Sequence, residues 1–592
     1  MLQLKRSSSF SARWMPRRHG IARTLNAELT TLQANIMRHA LPLLWLLPAI
    51  LFVTVCATTP AQPPPEFDLV LRGGKVVDGT GNPWFHGDVA ILHDKIVAVG
   101  KVAGKGKREI DAKGLIVAPG FIDAHSHSDF TLLEDGNLQS KIRQGVTTEV
   151  LGESTSPGPF QDKLTPPKMS IAGKPVSWTT LGGYFDTVDK SGVSANVVSY
   201  VGLGTVWRCV MGDSHARPTP AQFGRIKELA LEAMKNGAKG MSCMLAAPPD
   251  SLATKDELVE LCKVVAKHGG IFVSHIRNEG TGVFDAIREV IEIGRLANIV
   301  VEILHIKIAD QQYWGRMNEI VRLIDDARKS GVNVGANVYP YTRGNNNLAT
   351  ILPPWAHEGG TAKMLERLKD SADRSTMKTD ITKGIPGWYN HYTAIGGDWS
   401  RMLISANHAY KGLTMDRVLA ERTKGKKNAD LIEAFFDFLF DSGGSVGTVY
   451  DHHTEKDMNL AMTQPWCTIG SDGFGLSIEG PLRRGHPHPR SFGTFPRVLG
   501  VYVRQKGLLK LEDAVRKMTS QNAAKLGIFD RGLVRAGQYA DIAIFDADKV
   551  IDRATYIEPF QYSEGIEYVI VNGQIVLDQG KHTGVKPGRA LR

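Results

Sequence analysis

The strongest constraint on this 592-residue chain is an alternation. Eight apolar, strand-like runs follow one another between about residue 119 and about residue 528: "LIVAPGFIDAHSH", "VTTEVLGE", "NVVSYVG", "AKGMSCML", "IFVSHI", "VVEILHIK", "VNVGANVYPY" and "WCTIGSDG". Most are separated by stretches of helical period, such as "TPAQFGRIKELALEAMKNG", in which Phe223, Ile226, Leu229 and Ala230 share one face. Strands alternating with helices predict an α/β fold, and eight such units predict a (β/α)8 barrel over 119–528. A barrel of this kind needs roughly 250 residues, so extra chain must be accommodated. The excess falls between Tyr341 and Trp466, and an inserted subdomain after strand 7 is expected at about 355–450. Short strands with Gly-rich turns occupy 67–118 and return at 529–592. The two chain ends are therefore expected to pair as one small β-sandwich domain.

Composition narrows the class. Apolar residues at 42% and charged residues at 22% are ordinary for a globular protein. The net charge is +10, but residues 1–57 hold seven Lys/Arg against one acidic residue, so six of the ten excess charges sit there. No arginine-rich stripe with interleaved aromatics follows, which argues against a nucleic-acid partner. The uncharged run from Ala40 to Val55 is short for a spanning helix and is followed by small residues and prolines. It reads as a signal-peptide core, with 58–66 as a stiff Pro-rich linker. Export to the periplasm or exterior is expected, with an uncleaved or lipid anchor as the alternative; membrane contact would be confined to this segment. Apart from Cys56, four cysteines lie apart with no CxxC pair, and they are expected to be buried thiols; a disulfide through Cys209 or Cys262 is the alternative.

Barrel active sites form at the C-terminal ends of the strands. Strand 1 ends in His125 and His127, strand 2 in Glu153, strand 5 in His275, strand 6 in His305 and strand 8 in Asp472. Any one of these reads equally well as a satisfied core or rim residue. Four histidines and two carboxylates at one barrel face do not. In an extended strand, residues i and i+2 point to one side, which would set His125 and His127 next to each other. Nitrogen and oxygen donors without thiolate suit one or two Zn²⁺ ions, or another divalent metal.

The motifs "APGFIDAHSHSDF", "QGVTTEVLGE", "SHIRNE", "LHIK", "GSDG", "HPRSFGTFPRVLG" and "AVRKMTSQNAAKLGIFDRGLVRAGQYADIAIFD" together resemble the amidohydrolase superfamily, and within it the D-aminoacylase (N-acyl-D-amino-acid deacylase) family. The resemblance covers nearly all of 67–592. It implies hydrolysis of a non-peptide C–N bond in N-acyl-D-amino acids or related small amides by a metal-activated water. It assigns His125, His127, His275, His305 and Asp472 to metal, and Asp472 also to general-base work. Lys307, Tyr339 and Arg490 fall at positions linked to substrate, Arg490 in a loop able to fold over the metal mouth. The chain departs from the family at several points. "GEST" stands where a cysteine ligand is usual, with Ser154 at that position and Glu153 as the expected substitute. Asn345 replaces a hydroxyl residue, and Leu203 a histidine. His275 and His305 are expected to form one site with Glu153, and His125, His127 and Asp472 a second. Two other readings are a hydrolase of cyclic amides or dipeptides on the same scaffold, and a non-catalytic barrel acting as a binding protein.

Overall fold

The computed structural model describes residues 66–592 apart from 172 and 407. The targeting segment, Cys56 and all but the last residue of the linker lie outside the described residues. Eight short parallel strands run in chain order: Phe121–Asp123, Val146–Leu151, Asn196–Ser199 continued as Val201–Gly202, Gly240–Met244, Ile271–His275, Val301–Ile303, Val334–Val338 and Cys467–Ile469. Each pairs with its neighbour in sequence, from Ile122 against Thr148 to Val338 against Ile469. A parallel bridge from Ser126 to Gly473 joins the last strand to the first. The result is the expected (β/α)8 barrel. Its helices start where the sequence punctuates them. Thr219 and Thr254 cap Pro220–Lys235 and Lys255–Ala266 through reciprocal bonds with Gln222 and Glu257. Ile226, Leu229 and Ala230 are buried against the barrel, while Phe223 is half-buried at its edge.

The first barrel strand is shorter than its apolar run. Ile116–Pro119 belongs instead to a nine-stranded sheet made from both chain ends, where it pairs with Phe67–Val76 and Ile542–Phe545. Phe67–Val76 serves two parallel partners in succession, Gly106–Asp111 and then Ile116–Pro119. The change of partner needs a bend, and Gly73 supplies it with φ +67°; a Cβ on Gly74 would stand 2.5 Å from Val117. The sheet encloses its own core, including Leu69, Val89, Ile96, Ile542 and Ile570. After strand 7 the chain leaves the barrel to build a three-stranded antiparallel sheet (Arg343–Asn347, Met402–Ile404, Gly447–Asp451) over a separate core containing Phe435, Phe436, Phe438 and Tyr450. Cys209, Cys243, Cys262 and Cys467 are free and buried.

The barrel closes around a buried cation. Lys141 lies on the short helix Gln139–Ile142 and is wholly buried. Its Nζ donates to Asp123 Oδ2 at 2.7 Å, Ser471 Oγ at 2.9 Å, Ser126 Oγ at 3.1 Å and the Gly473 carbonyl at 3.1 Å. Glu149 Oε1 lies 3.2 Å away. One ammonium thus ties strand 1 to the segment leaving strand 8. Removing it strands two buried carboxylates, so Lys141→Met should cost about 3–5 kcal/mol. Urea unfolding of both proteins checks this; an unchanged midpoint would show that the seam does not depend on the lysine.

Candidate metal centre

All the strand-end residues face the same mouth. Glu153 follows Val146–Leu151, His275 ends Ile271–His275, and Asp472 follows Cys467–Ile469. His125 and His127 lie beyond Phe121–Asp123, in the segment leaving it, rather than within a strand. They still share a side because the backbone stays extended by pairing across the seam: His127 N–H donates to the Gly473 carbonyl at 3.0 Å, and Asp472 N–H to the His125 carbonyl at 2.7 Å. Three residues here hold backbone conformations that side chains disfavour: Ser154 at φ 54°, His305 at φ 34° and Asp472 at φ 51°. Strain of this kind collects where function dictates geometry.

Two donor groups meet at one carboxylate. His125, His127, Glu153 and Asp472 form the first, and Glu153, His275 and His305 the second, with the donor atoms of each within 4.8 Å of one another. Glu153 Oε2 lies 2.6 Å from His125 Nε2 and 3.2 Å from His127 Nε2. Its other oxygen lies 3.7 Å from His275 Nδ1 and 4.0 Å from His305 Nε2. Asp472 Oδ1 is 3.0 Å from His127 Nε2 and 3.7 Å from His125 Nε2. Glu153 therefore bridges both groups, where the sequence led us to expect it in one. Ser154, at the family's cysteine position, sends its backbone N–H to Ser242 Oγ.

The electrostatics ask for positive charge. Burial opposes ionisation of Glu153, but His125 and His127 outweigh it and hold that carboxyl well below its usual range. Burial likewise opposes ionisation of Asp472; Arg490 and His125 prevail, so Asp472 is also held ionised. Burial disfavours a charged His127, yet its bonds to Asp472 and Glu153 push it up to about 10. His305 is drawn the other way, to about 4, by burial and by Lys307. His275 Nε2 and His125 Nδ1 are buried without a hydrogen-bond partner. Buried carboxylates and imidazole nitrogens at this spacing, two of the ring nitrogens without a partner, form a donor set that fits a divalent ion.

Lys307, Tyr339 and Arg490 line the same cavity of about 530 Å³. Tyr339 is buried and its phenol is raised well above its usual value by that burial, so it keeps its proton. Arg490 stacks over the Tyr339 ring at 4.8 Å and sets Nη1 2.7 Å from Asp472 Oδ2. It opens the helix Arg490–Arg497 instead of standing in a loop, because Pro489 just before it fixes a helical backbone turn. Leu203 is buried in the core, away from the cavity. Asn345 lines the cavity and accepts from Ser405 Oγ at 3.3 Å, which sets a hydroxyl of the insertion beside it.

Several cavity residues were not foreseen. Glu279 is buried against both His275 and His305, with His305 Nδ1 at 3.2 Å, and it accepts from Lys307 Nζ. A carboxylate behind an imidazole fixes its tautomer and ring direction. Glu279 closes the "SHIRNE" motif, four residues after His275, a position that does not by itself mark it as a cavity residue. His391 and His452 come from the insertion, folded back over the barrel mouth.

An eight-stranded barrel with imidazoles and carboxylates gathered at its strand ends defines the class of metal-centred barrel enzymes. A family model described as the amidohydrolase family matches residues 108–382 and 467–577. The D-aminoacylase of Alcaligenes xylosoxydans xylosoxydans is 32% identical over 529 residues, which cover 89% of this chain and 97% of that protein. The N-acyl-D-glutamate deacylase of the same organism is 33% identical over 531 residues, with the same coverage of both chains. In the solved structures, the N-acyl-D-glutamate deacylase of Bordetella bronchiseptica, complexed with zinc and a phosphonate mimic of the tetrahedral intermediate, superimposes with a TM-score of 0.73. It is 30% identical, and the match covers 89% of this chain and all of that one. The chain belongs to the amidohydrolase family, in its D-aminoacylase branch.

A carboxylate shared between both donor groups has a measurable consequence. Glu153→Ala should lower bound metal by at least one ion per two chains and reduce turnover roughly 100-fold or more, at least as much as the loss of an outer-shell partner costs. Metal analysis of dialysed protein with parallel rate measurements checks it. Unchanged metal content and full turnover would remove Glu153 from the centre.

Proposed function

We propose that the protein hydrolyses the amide bond of N-acyl-D-amino acids, using one or two Zn²⁺ ions held by His125, His127, Glu153, His275, His305 and Asp472. The observation that carries this reading is the pair of donor groups joined at Glu153, at the mouth of a barrel whose similar proteins are deacylases of that substrate class. A bound divalent ion supplies Lewis acidity and a water ionised near neutral pH, with a pKa of about 7.

The remaining work falls to side chains. Asp472 is the acceptor for the water's proton and its donor to the departing nitrogen. Its oxygens face His127 on one side and Arg490 on the other, so it enters the reaction ionised. The protonated Tyr339 phenol is the hydrogen-bond donor for the oxyanion of the tetrahedral intermediate. Arg490 grips the substrate's free carboxylate with two parallel hydrogen bonds and fixes the carbonyl in the site. That carboxylate competes with Asp472 for the guanidinium, so binding substrate loosens the pair that depresses the base. Lys307 is held against Glu279 and the Nδ1 edge of His305, and burial, reinforced by this ammonium, keeps that imidazole neutral.

One panel of rates tests the reading. N-acetyl-D-amino acids should be hydrolysed in preference to their L-enantiomers, to hydantoins and to dipeptides. Arg490→Lys should lose roughly 100-fold in kcat/KM on the free acid and much less on its carboxamide, because an ammonium cannot reproduce the planar fork. Preference for a hydantoin or dipeptide would overturn the substrate class. Equal losses on acid and carboxamide would show that Arg490 does not read the carboxylate.

A further inference from the structure

A second cavity, of about 270 Å³, adjoins the catalytic one, and Met244, Asn346, Asn347 and His391 line both. The shared wall is therefore uncharged: a thioether, two amides and an imidazole that burial lowers to about 3. Past that wall the second cavity is lined in about equal measure by apolar and polar groups: Ala246, Ala247, Pro248, Leu352 and Trp388 form an apolar strip beside Ser214, His215, Thr350 and His357. Among the described residues, the fixed charges lining it are Arg208 and Asp213, which lie 3.8 Å apart as a pair.

Barrel order says which end of the substrate reaches this cavity. Met244 ends the fourth strand, and Asp472, with Arg490 beside it, follows the eighth. In a closed barrel of eight strands, the fourth and eighth stand on opposite sides of the mouth. A substrate whose carboxylate is held at Arg490 extends its acyl half across the centre, towards Met244 and His391. We propose that the second cavity is a subsite for the acyl half of the substrate and takes an uncharged, extended acyl group, aliphatic or aryl, longer than acetyl. The inference rests on the N-acyl amino acid reading above and gives that reading its substrate class. Each methylene moved from water onto the strip of Ala246, Ala247, Pro248, Leu352 and Trp388 adds to binding, and the two fixed charges, Arg208 and Asp213, face each other.

The test is kcat/KM along the N-acetyl, N-butyryl, N-hexanoyl and N-octanoyl forms of one D-amino acid. From acetyl to octanoyl it should rise roughly tenfold or more. Ala247→Trp, which fills the cavity, should bring the octanoyl-to-acetyl ratio down to near one. Trp388→Ala, which widens it, should keep the ratio well above one; thermal melts establish that both variants fold. A flat or falling series in the wild type, or a ratio that neither variant moves, overturns the subsite. If neither acetyl nor octanoyl substrates are hydrolysed, the deacylase reading fails, and calorimetric titration with octanamide judges the subsite alone. Octanamide binding that Ala247→Trp abolishes supports it, and absence of binding overturns it.

Discussion

The buried ammonium of Lys141 is the interaction on which the rest depends. A barrel of short strands has one seam where its last strand must meet its first, and here that seam has a single isolated bridge, Ser126 to Gly473. Lys141 reinforces it by joining Asp123 in strand 1 to Ser471 and Gly473 after strand 8. The same few residues carry the candidate centre. His125 and His127 flank Ser126, and Asp472 stands between Ser471 and Gly473. Closing the barrel and bringing two imidazoles onto a carboxylate are one event. A fully buried lysine is costly unless its charge is met, and Asp123 and Glu149 meet it.

Glu153 is the counterpart on the functional side. Its two oxygens face different pairs of histidines, so one side chain links both halves of the mouth. Two ionised, buried carboxylates this close together repel each other, and His127 answers them by holding a proton. A site that draws a proton onto an imidazole so strongly is one that a divalent cation can satisfy better. The strained backbone at His305 and Asp472 fits the same account, in which geometry at the mouth is set by chemistry and stabilised by the barrel beneath it.

Much of this was legible in the sequence, for identifiable reasons. The barrel shows in the alternation of apolar runs with helical stretches, and the donors show because barrel chemistry sits at strand ends. The boundary at Ile116–Pro119 was hidden, since a continuous apolar run does not say which sheet receives it. Glu279 was hidden because four-residue spacing signals contact on a helix, and here it follows a strand end. His391 and His452 reach the mouth only through the insertion's own fold, which local pattern does not give. Arg490 looked like a loop residue because "GHPHPRSFG" is rich in proline and glycine, yet Pro489 is well suited to the start of a helix.

In the proposed reaction, amide hydrolysis depends on a cation held between the two donor groups. The direct measurement strips metal with a chelator, then follows N-acyl-D-amino acid hydrolysis and bound metal together as Zn²⁺ is added back. The stripped protein should show no turnover, and the rate should rise with the first ion bound per chain. Full turnover with no bound metal would contradict it.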